Sequence, residues 1–134
     1  MKKAFWAICI ITSVLIGCNE TNSNHGAIDT SKAEAIADSV RDSEQLRKWL
    51  HHYDSLGDEK SELLIRQKYG KVMRDKSEFE AAIRQHDTCI AMATKQKDTL
   101  QLIIALNNQG TNFRRLGDLQ EASNNHYAAL KLCD

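Results

Sequence analysis

The sequence predicts an all-α domain built from antiparallel helical hairpins. The 134 residues include no proline. No stretch alternates apolar and polar side chains over several residues, as a half-buried strand does. Apolar residues instead recur at helical spacing between short polar turns, which is the pattern of helices that bury one face.

The first 17 residues have the layout of an export signal. Lys2 and Lys3 precede an apolar run from Ala4 to Ile16. As a helix this run would span only about 20 Å, less than the ~30 Å hydrocarbon core of a bilayer. Its end, Leu15 to Cys18, resembles the lipobox of bacterial lipoproteins, which implies lipid on the Cys18 sulfur and cleavage before it. The alternative is an ordinary cleaved signal or a short anchor.

Residues 18–30 are expected to form the lipidated cysteine that the resemblance implies and a flexible tether. The tether is predicted because Asn19 to Thr30 are polar and small and show no apolar periodicity. Removal of Lys2 and Lys3 with the signal leaves 16 basic against 18 acidic residues. This slightly negative charge argues against general nucleic-acid binding.

The first two predicted helices lie within residues 31–57. A capping box of Ser31 and Glu34 opens an apolar stripe that loses its phase after Val40. A second stripe starts at Leu46, so we expect a break around residues 41 to 44. Gly57 then ends the second helix.

Four further helices are predicted from Asp58 onward. The first runs to about Arg74, the second starts at a capping box from Ser77 to Glu80, and the others follow Asp98 and Asp118. Short turns make consecutive helices antiparallel neighbours. The domain 31–134 is therefore expected to contain an additional N-terminal hairpin (31–57) and two repeats (58–97 and 98–134).

The two predicted repeats are related by a shift of 40 residues. This shift pairs glycine with glycine and alanine with alanine where two helices of a hairpin approach closely. The pairs are Gly70 with Gly110, Arg74 with Arg114, Ala82 with Ala122, His86 with His126, Phe79 with Leu119 and Ile90 with Leu130.

These positions resemble the tetratricopeptide repeat family. The second repeat carries the motif most clearly, at Gly110, Phe113, Gly117, Leu119, Ala122, Ala129 and Leu130, and the first carries a looser copy at Tyr69, Gly70, Phe79, Ala82 and Ile90. The chain departs from the family in having His86 and His126 at an aromatic position and Gln109 at a leucine position. It also lacks the terminal proline, and its period exceeds the usual 34.

The resemblance implies a right-handed solenoid whose first helices line a groove for an extended peptide or a partner helix. Matching positions place seven polar residues in that groove: Gln67, Lys71, Arg74, Asn107, Thr111, Arg114 and Arg115. Arginine and lysine there would favour an acidic group on the partner. An ordinary solvated helix face is the alternative interpretation.

The sequence offers no catalytic chemistry, so we expect neither an enzyme nor a cofactor. It has no glycine-rich phosphate loop, nucleophile elbow or carboxylate pair. His86 and His126 are interpreted as packing residues, because a zinc site needs three or four ligands. Cys89 is expected to be buried and reduced, and Cys133 more exposed.

The resulting expectation is a lipid-anchored module that binds a protein or peptide outside the cytoplasm, on the cell membrane or outer membrane. Alternatives are a severed sensory part of a histidine kinase or transcriptional regulator, or a component of an outer-membrane nutrient-uptake system. Two clear hairpins fall short of the three that usually stabilise an array, and no polar helix caps the second. We therefore expect either a fragment of a longer protein or self-association.

Overall fold

The structure, a computed structural model, describes residues 29–133 of the chain. The export signal, Cys18 and most of the tether lie outside the described residues. Within the described range, 85% of the residues are helical and none lies in a strand. The predicted all-α fold is confirmed. No helix in this range is both long and apolar enough to cross a membrane.

Six helices follow one another in the described range, and they pack in a repeat-like order. Neighbours along the chain from α2 to α6 contact each other, while α1 packs on α3 and α3 also touches α5. The helices are α1 (Ser31–Ser39), α2 (Ser43–Leu56), α3 (Glu59–Asp75), α4 (Phe79–Gln96), α5 (Thr99–Leu116) and α6 (Leu119–Lys131).

Aspartate side chains start four of these helices. Asp42, Asp58, Asp98 and Asp118 each accept a hydrogen bond from the backbone N–H three residues later. Such caps satisfy an otherwise unpaired donor and favour the helix by about 1 kcal/mol each. The starts after Asp58, Asp98 and Asp118 were predicted from the sequence. At the other end, Gly57 and Gly117 close α2 and α5 in the left-handed conformation, with φ of 66° and 96°.

Neither predicted capping box forms. The residue that caps α1 is Thr30, whose hydroxyl donates to the Glu34 carboxylate at 2.8 Å. Ser77 has a φ of 64° and donates its backbone N–H to the carbonyl of Arg74. Ser77 therefore belongs to the tight turn that closes α3, and α4 begins after Glu78 without a side-chain cap.

The break between α1 and α2 lies at residues 40–42, where Val40 is extended. Both helices cover the same side of α3, and the Lys32 Nζ atom lies 4.9 Å from the centre of the Trp49 ring. Together they build the N-terminal core with two residues of α3. Its buried members are Ala33, Ile36, Leu46, Leu50, Tyr53, Ile65 and Val72.

A second core lies between α3, α4 and α5, and burial then decreases toward the end of the chain. The second core consists of Leu63, Cys89, Ala93 and Ala105, with Ile90, Met92 and Leu102 packed against it. In α6, only Ala122 and Ala129 are buried. The last helix therefore contributes little apolar burial to the fold.

Glycines facing histidines account for two of the pairs in the 40-residue repeat. The ring of His86 lies against Gly70, where a Cβ atom would come within 2.4 Å of the His86 Cε1 atom. The ring of His126 lies in the same way against Gly110, where the corresponding distance would be 2.7 Å. Each hairpin thus closes by placing an imidazole ring in the space that a missing side chain leaves.

Candidate functional site

The candidate site is the face formed by α1, α3 and α5. These three helices lie side by side, since α3 contacts both α1 and α5. The residues expected to line a groove are on α3 and α5. The structure divides them into two groups, those used in packing between the helices and those exposed on the face.

Gln67 and Arg74 hold α3 and α5 together. The Gln67 amide nitrogen donates to the backbone carbonyl of Gln101 at 3.1 Å, and its oxygen accepts from Asn108 at 3.4 Å. Arg74 donates to the Asn112 side-chain oxygen at 3.2 Å. Gln67 is only 5% exposed. The groove surface is therefore smaller than the sequence indicated, because the Gln67 side chain is buried and hydrogen-bonded to α5.

These contacts belong to a buried polar network between α3, α4 and α5, which we call the polar seam. Its members are Gln67, Arg74, His86, Asn108, Gln109 and Asn112. Asn112 is the centre, because its amide nitrogen lies 2.9 Å from the His86 Nδ1 atom and 3.2 Å from the Gln109 oxygen. Gln109 in turn donates to the Asp87 carboxylate at 2.6 Å. The large majority of buried polar groups in folded proteins are paired in this way.

The imidazole of His86 is neutral in this environment. Burial lowers its pKa to about 4, and the positive charge of Arg74 acts in the same direction. The Nδ1 atom lies near both the Ala82 carbonyl, at 3.0 Å, and the Asn112 amide nitrogen. A neutral ring carries one proton, so Nδ1 either donates to the carbonyl or accepts from the amide, but not both. The Nε2 atom is buried and has no hydrogen-bond partner among residues 29–133.

Positive charge collects where α3 and α5 end. A pocket of about 190 Å³ lies there, lined by Arg74, Asp75, Ser77, Phe79 and Arg115. Burial lowers the pKa of Arg74; Arg115 and Arg114 add to this effect, and Asp75 opposes it. The two guanidinium groups outnumber the one carboxylate of this lining, Asp75, so the pocket keeps positive charge and suits a carboxylate with an apolar neighbour that contacts Phe79.

A second pocket, of about 210 Å³, lies where α1, α3 and α5 begin. It contains two acids, one lysine and two leucines among amide and hydroxyl groups: Thr30, Glu34, Lys60, Leu63, Leu64, Gln96, Asp98 and Gln101. Fourteen residues of α3 separate Lys60 from Arg74, which corresponds to about 20 Å along a helix. The face therefore has two chemically different ends.

Four of the expected groove residues are exposed, and Arg115 is the one that also lines the pocket at the ends of α3 and α5: Lys71, Asn107, Arg114 and Arg115. Thr111 is half-buried and donates to the Asn107 carbonyl. The Asn107 side-chain oxygen lies 3.2 Å from the His126 Nδ1 atom. Among the expected groove residues, the exposed side chains with a positive charge are therefore Lys71, Arg114 and Arg115.

The sequence signal for the polar seam was Gln109, which stands at a leucine position of the family motif. The hydrogen bond that Gln109 makes could not be predicted from the neighbouring sequence, because its partner Asp87 lies on a different helix. Asn108 and Asn112 are four residues apart on one face of α5, and no sequence motif marked them. Their burial depends on contacts with α3 and α4.

The two cysteines of the described range have the burial that was expected from the sequence. Cys89 is fully buried and Cys133 is exposed, and they form no disulfide with each other. Burial raises the pKa of the Cys89 thiol to about 12, so this thiol stays protonated and is a poor nucleophile. Between residues 29 and 133, no group of three or more potential ligands could hold a metal ion. Cys18 lies outside the described residues.

Comparison with known proteins returned no match to this chain among family models, curated proteins or solved structures. The features of the chain that indicate a function are its sequence pattern and the geometry of the α1, α3 and α5 face, of which the charged pocket is the more specific.

Proposed function

We propose that this chain is a membrane-tethered module of the tetratricopeptide type that binds an extended acidic segment of a protein partner. The observation that supports it most is the pocket at the ends of α3 and α5, where Arg74 and Arg115 face the same space. Lys71 and Arg114 are exposed on the same two helices. Guanidinium groups bind carboxylates in a two-pronged geometry, and partial burial strengthens such contacts.

The separation of the two pockets suggests the length and orientation of the ligand. An extended peptide rises about 3.3 Å per residue, so roughly six residues cover the ~20 Å between the pockets. An acidic side chain would occupy the pocket of Arg74 and Arg115. The opposite end, near Glu34 and Asp98, would favour a neutral or basic side chain.

The binding proposal is tested with fluorescent six-residue peptides that carry one glutamate at each position in turn, in an otherwise Ala and Ser sequence. We expect peptides with glutamate at one end to bind best by fluorescence polarisation. The variant K71E/R115E should bind them at least about tenfold more weakly, since it replaces two attractive contacts by repulsive ones.

Arg74 is left unchanged in this experiment because it also holds Asn112. The matched control is K48E/R84E, which changes the net charge equally through exposed residues of α2 and α4. Control and wild type should bind alike. Equal weakening in both variants would indicate a general charge effect, and no weakening in either would rule out the proposed groove.

The tether proposal concerns Cys18 and is tested separately. We expect mass spectrometry of the amino-terminal peptide from membranes to find a chain that starts at Cys18 and carries fatty acyl groups, with the domain facing the periplasm or exterior. Two or three acyl chains anchor a protein stably, whereas one does not. Replacing Cys18 with Ser should release the chain from the membrane fraction. An unmodified Met1, or a Cys18 without lipid, would contradict the proposal.

A further inference from the structure

The Asn112 side chain connects the pocket at the ends of α3 and α5 to the buried ring of His86. Its amide oxygen accepts a hydrogen bond from the Arg74 Nη1 atom at 3.2 Å. Its amide nitrogen lies 2.9 Å from the His86 Nδ1 atom and 3.2 Å from the Gln109 side-chain oxygen. Asn112 is fully buried, whereas Arg74 also lines the pocket. One amide group therefore contacts both an arginine of the proposed ligand pocket and a titratable ring.

Arg74 fixes which atoms of this contact donate and which accept. A guanidinium group can only donate, so the Asn112 oxygen must face Arg74 and its NH2 group must face the other two partners. One N–H of the amide then points to the Gln109 oxygen and the other to the His86 Nδ1 atom, which accepts. The single proton of the neutral ring therefore lies on Nε2. In this state Asn112 is paired with all three partners.

Protonation of His86 breaks this match. A ring with two N–H groups accepts no hydrogen bond. The new Nδ1–H can donate to the Ala82 carbonyl, which already lies 3.0 Å away, but the NH2 group of Asn112 then faces a donor. Turning the amide over would bring its oxygen to this N–H and its NH2 group against Arg74, which also donates. Once His86 is charged, no orientation of the amide pairs with all three partners.

Of these partners, Arg74 is the one that can move. His86 is fully buried, and Gln109 is 1% exposed and bonded to the Asp87 carboxylate at 2.6 Å. Arg74 is half-buried and borders the pocket, so its guanidinium group has space on that side. Its remaining contact with α5 is a long hydrogen bond of 3.4 Å to the Asn108 carbonyl.

The charges around His86 favour the same movement. Burial lowers the pKa of His86 most, and the positive charges of Arg74 and Lys71 on α3 act in the same direction. The basic residues of α5 stand in its last turn, at Arg114 and Arg115. On α4 itself, the Asp87 carboxylate is exposed and accepts from Gln109. A proton on His86 thus adds charge to a group of cations, and moving Arg74 away relieves the repulsion.

We propose that proton uptake by His86 releases Arg74 from Asn112 into the pocket beside Arg115, so that acid tightens the binding of an ionised acidic ligand there. The effect on affinity rests on the proposed peptide binding, whereas the movement of Arg74 does not. Linkage requires the reverse effect as well: a ligand that draws Arg74 into the pocket raises the pKa of His86. Asn112 is a positioning residue in this arrangement, because it acts on the ligand only through Arg74.

An NMR titration of the full chain without ligand tests the movement. From about pH 7 to about pH 4, the signals of the His86 ring, the Asn112 side-chain amide and the Arg74 Nε–H group should change with one shared midpoint. In H86F, the Asn112 and Arg74 signals should not change. The matched control is D87N, which removes the carboxyl group that contacts Gln109 and should retain the shared midpoint. Asn112 and Arg74 signals that do not follow His86 would overturn the proposal.

Fluorescence polarisation tests the effect on affinity. The probes are the six-residue peptides described above with cysteic acid in place of glutamate, because a sulfonate stays ionised in this pH range. The wild type should bind the preferred peptide at least about threefold more tightly at about pH 4.5 than at about pH 7. H86F should bind it equally at both. N112A should also lose the pH dependence, since it retains both charges but removes the amide between them.

The outcomes separate this proposal from the proposed function. If no peptide binds at either pH, peptide binding is wrong, and the titration of the free chain still decides whether Arg74 moves. If the wild type binds equally at both pH values, or more weakly in acid, the coupling is wrong. A pH dependence that persists in N112A would mean that direct repulsion between Arg74 and His86 is sufficient, and Asn112 would have no positioning role. Circular dichroism at both pH values shows whether each variant is folded; if N112A is not, the shared midpoint in the wild type decides the role of Asn112.

Discussion

Replacing Gly70 with alanine should lower the free energy of unfolding by about 2 kcal/mol, whereas the same change at Gly110 should leave it nearly unchanged. Both glycines lie in helices and both face a histidine ring. At Gly70 the new Cβ atom would overlap with His86, which is fully buried and cannot move aside. At Gly110 it would meet His126, which is only partly buried and can turn toward solvent.

The size of the effect follows from two opposing contributions. Overpacking a filled interior costs about 1–3 kcal/mol, and forcing His86 out of place would also disturb its contact with Asn112. Alanine in a helix is favoured over glycine by about 1 kcal/mol, which offsets part of the cost at Gly70 and all of a small cost at Gly110.

Urea unfolding followed by circular dichroism measures both variants. The pair G70A and H86A provides a further check, because removing the ring should relieve the overlap. The double variant should therefore be less destabilised than the sum of the single changes. If G70A and G110A have equal effects, the close approach of His86 to Gly70 is not the cause.

The order and ends of the helices could be predicted because their signals are local. Asp58, Asp98 and Asp118 cap helices through backbone groups three residues away, and Gly57 ends a helix through its own φ angle. Ser77 shows where local signals fail. Its sequence context matched a capping box, but the short turn between α3 and α4 requires a left-handed residue at that position.

The candidate site was predictable only in part, since it depends on contacts between helices. Lys71 and Arg115 are exposed, as the matched motif positions suggested. Gln67 was expected beside them, but the approach of α5 buries it against Gln101 and Asn108. The burial of a polar residue depends on whether a partner for its hydrogen bonds lies opposite. For Gln67 that partner is 34 residues away in the chain.

The second large effect that we expect is a loss of stability in acid: protonation of His86 should lower the free energy of unfolding. An unperturbed histidine has a pKa near 6.5, whereas burial and the charge of Arg74 lower that of His86 to about 4 in the folded protein. Between pH 6.5 and 4 the unfolded chain therefore binds more protons than the folded one. Stability must fall as the pH falls through this window.

A difference of about 2.5 pKa units corresponds to roughly 3 kcal/mol, lost between pH 6.5 and pH 4. Urea unfolding at several pH values measures the slope of the free energy of unfolding against pH. The variant H86F should flatten it, because phenylalanine keeps a ring against Gly70 but takes up no proton. The matched control H126Q removes the equivalent, partly exposed histidine and should retain the slope. If the slope persists in H86F, other groups cause the acid sensitivity. Protonation of His86 in the polar seam would then not be what destabilises the fold in acid.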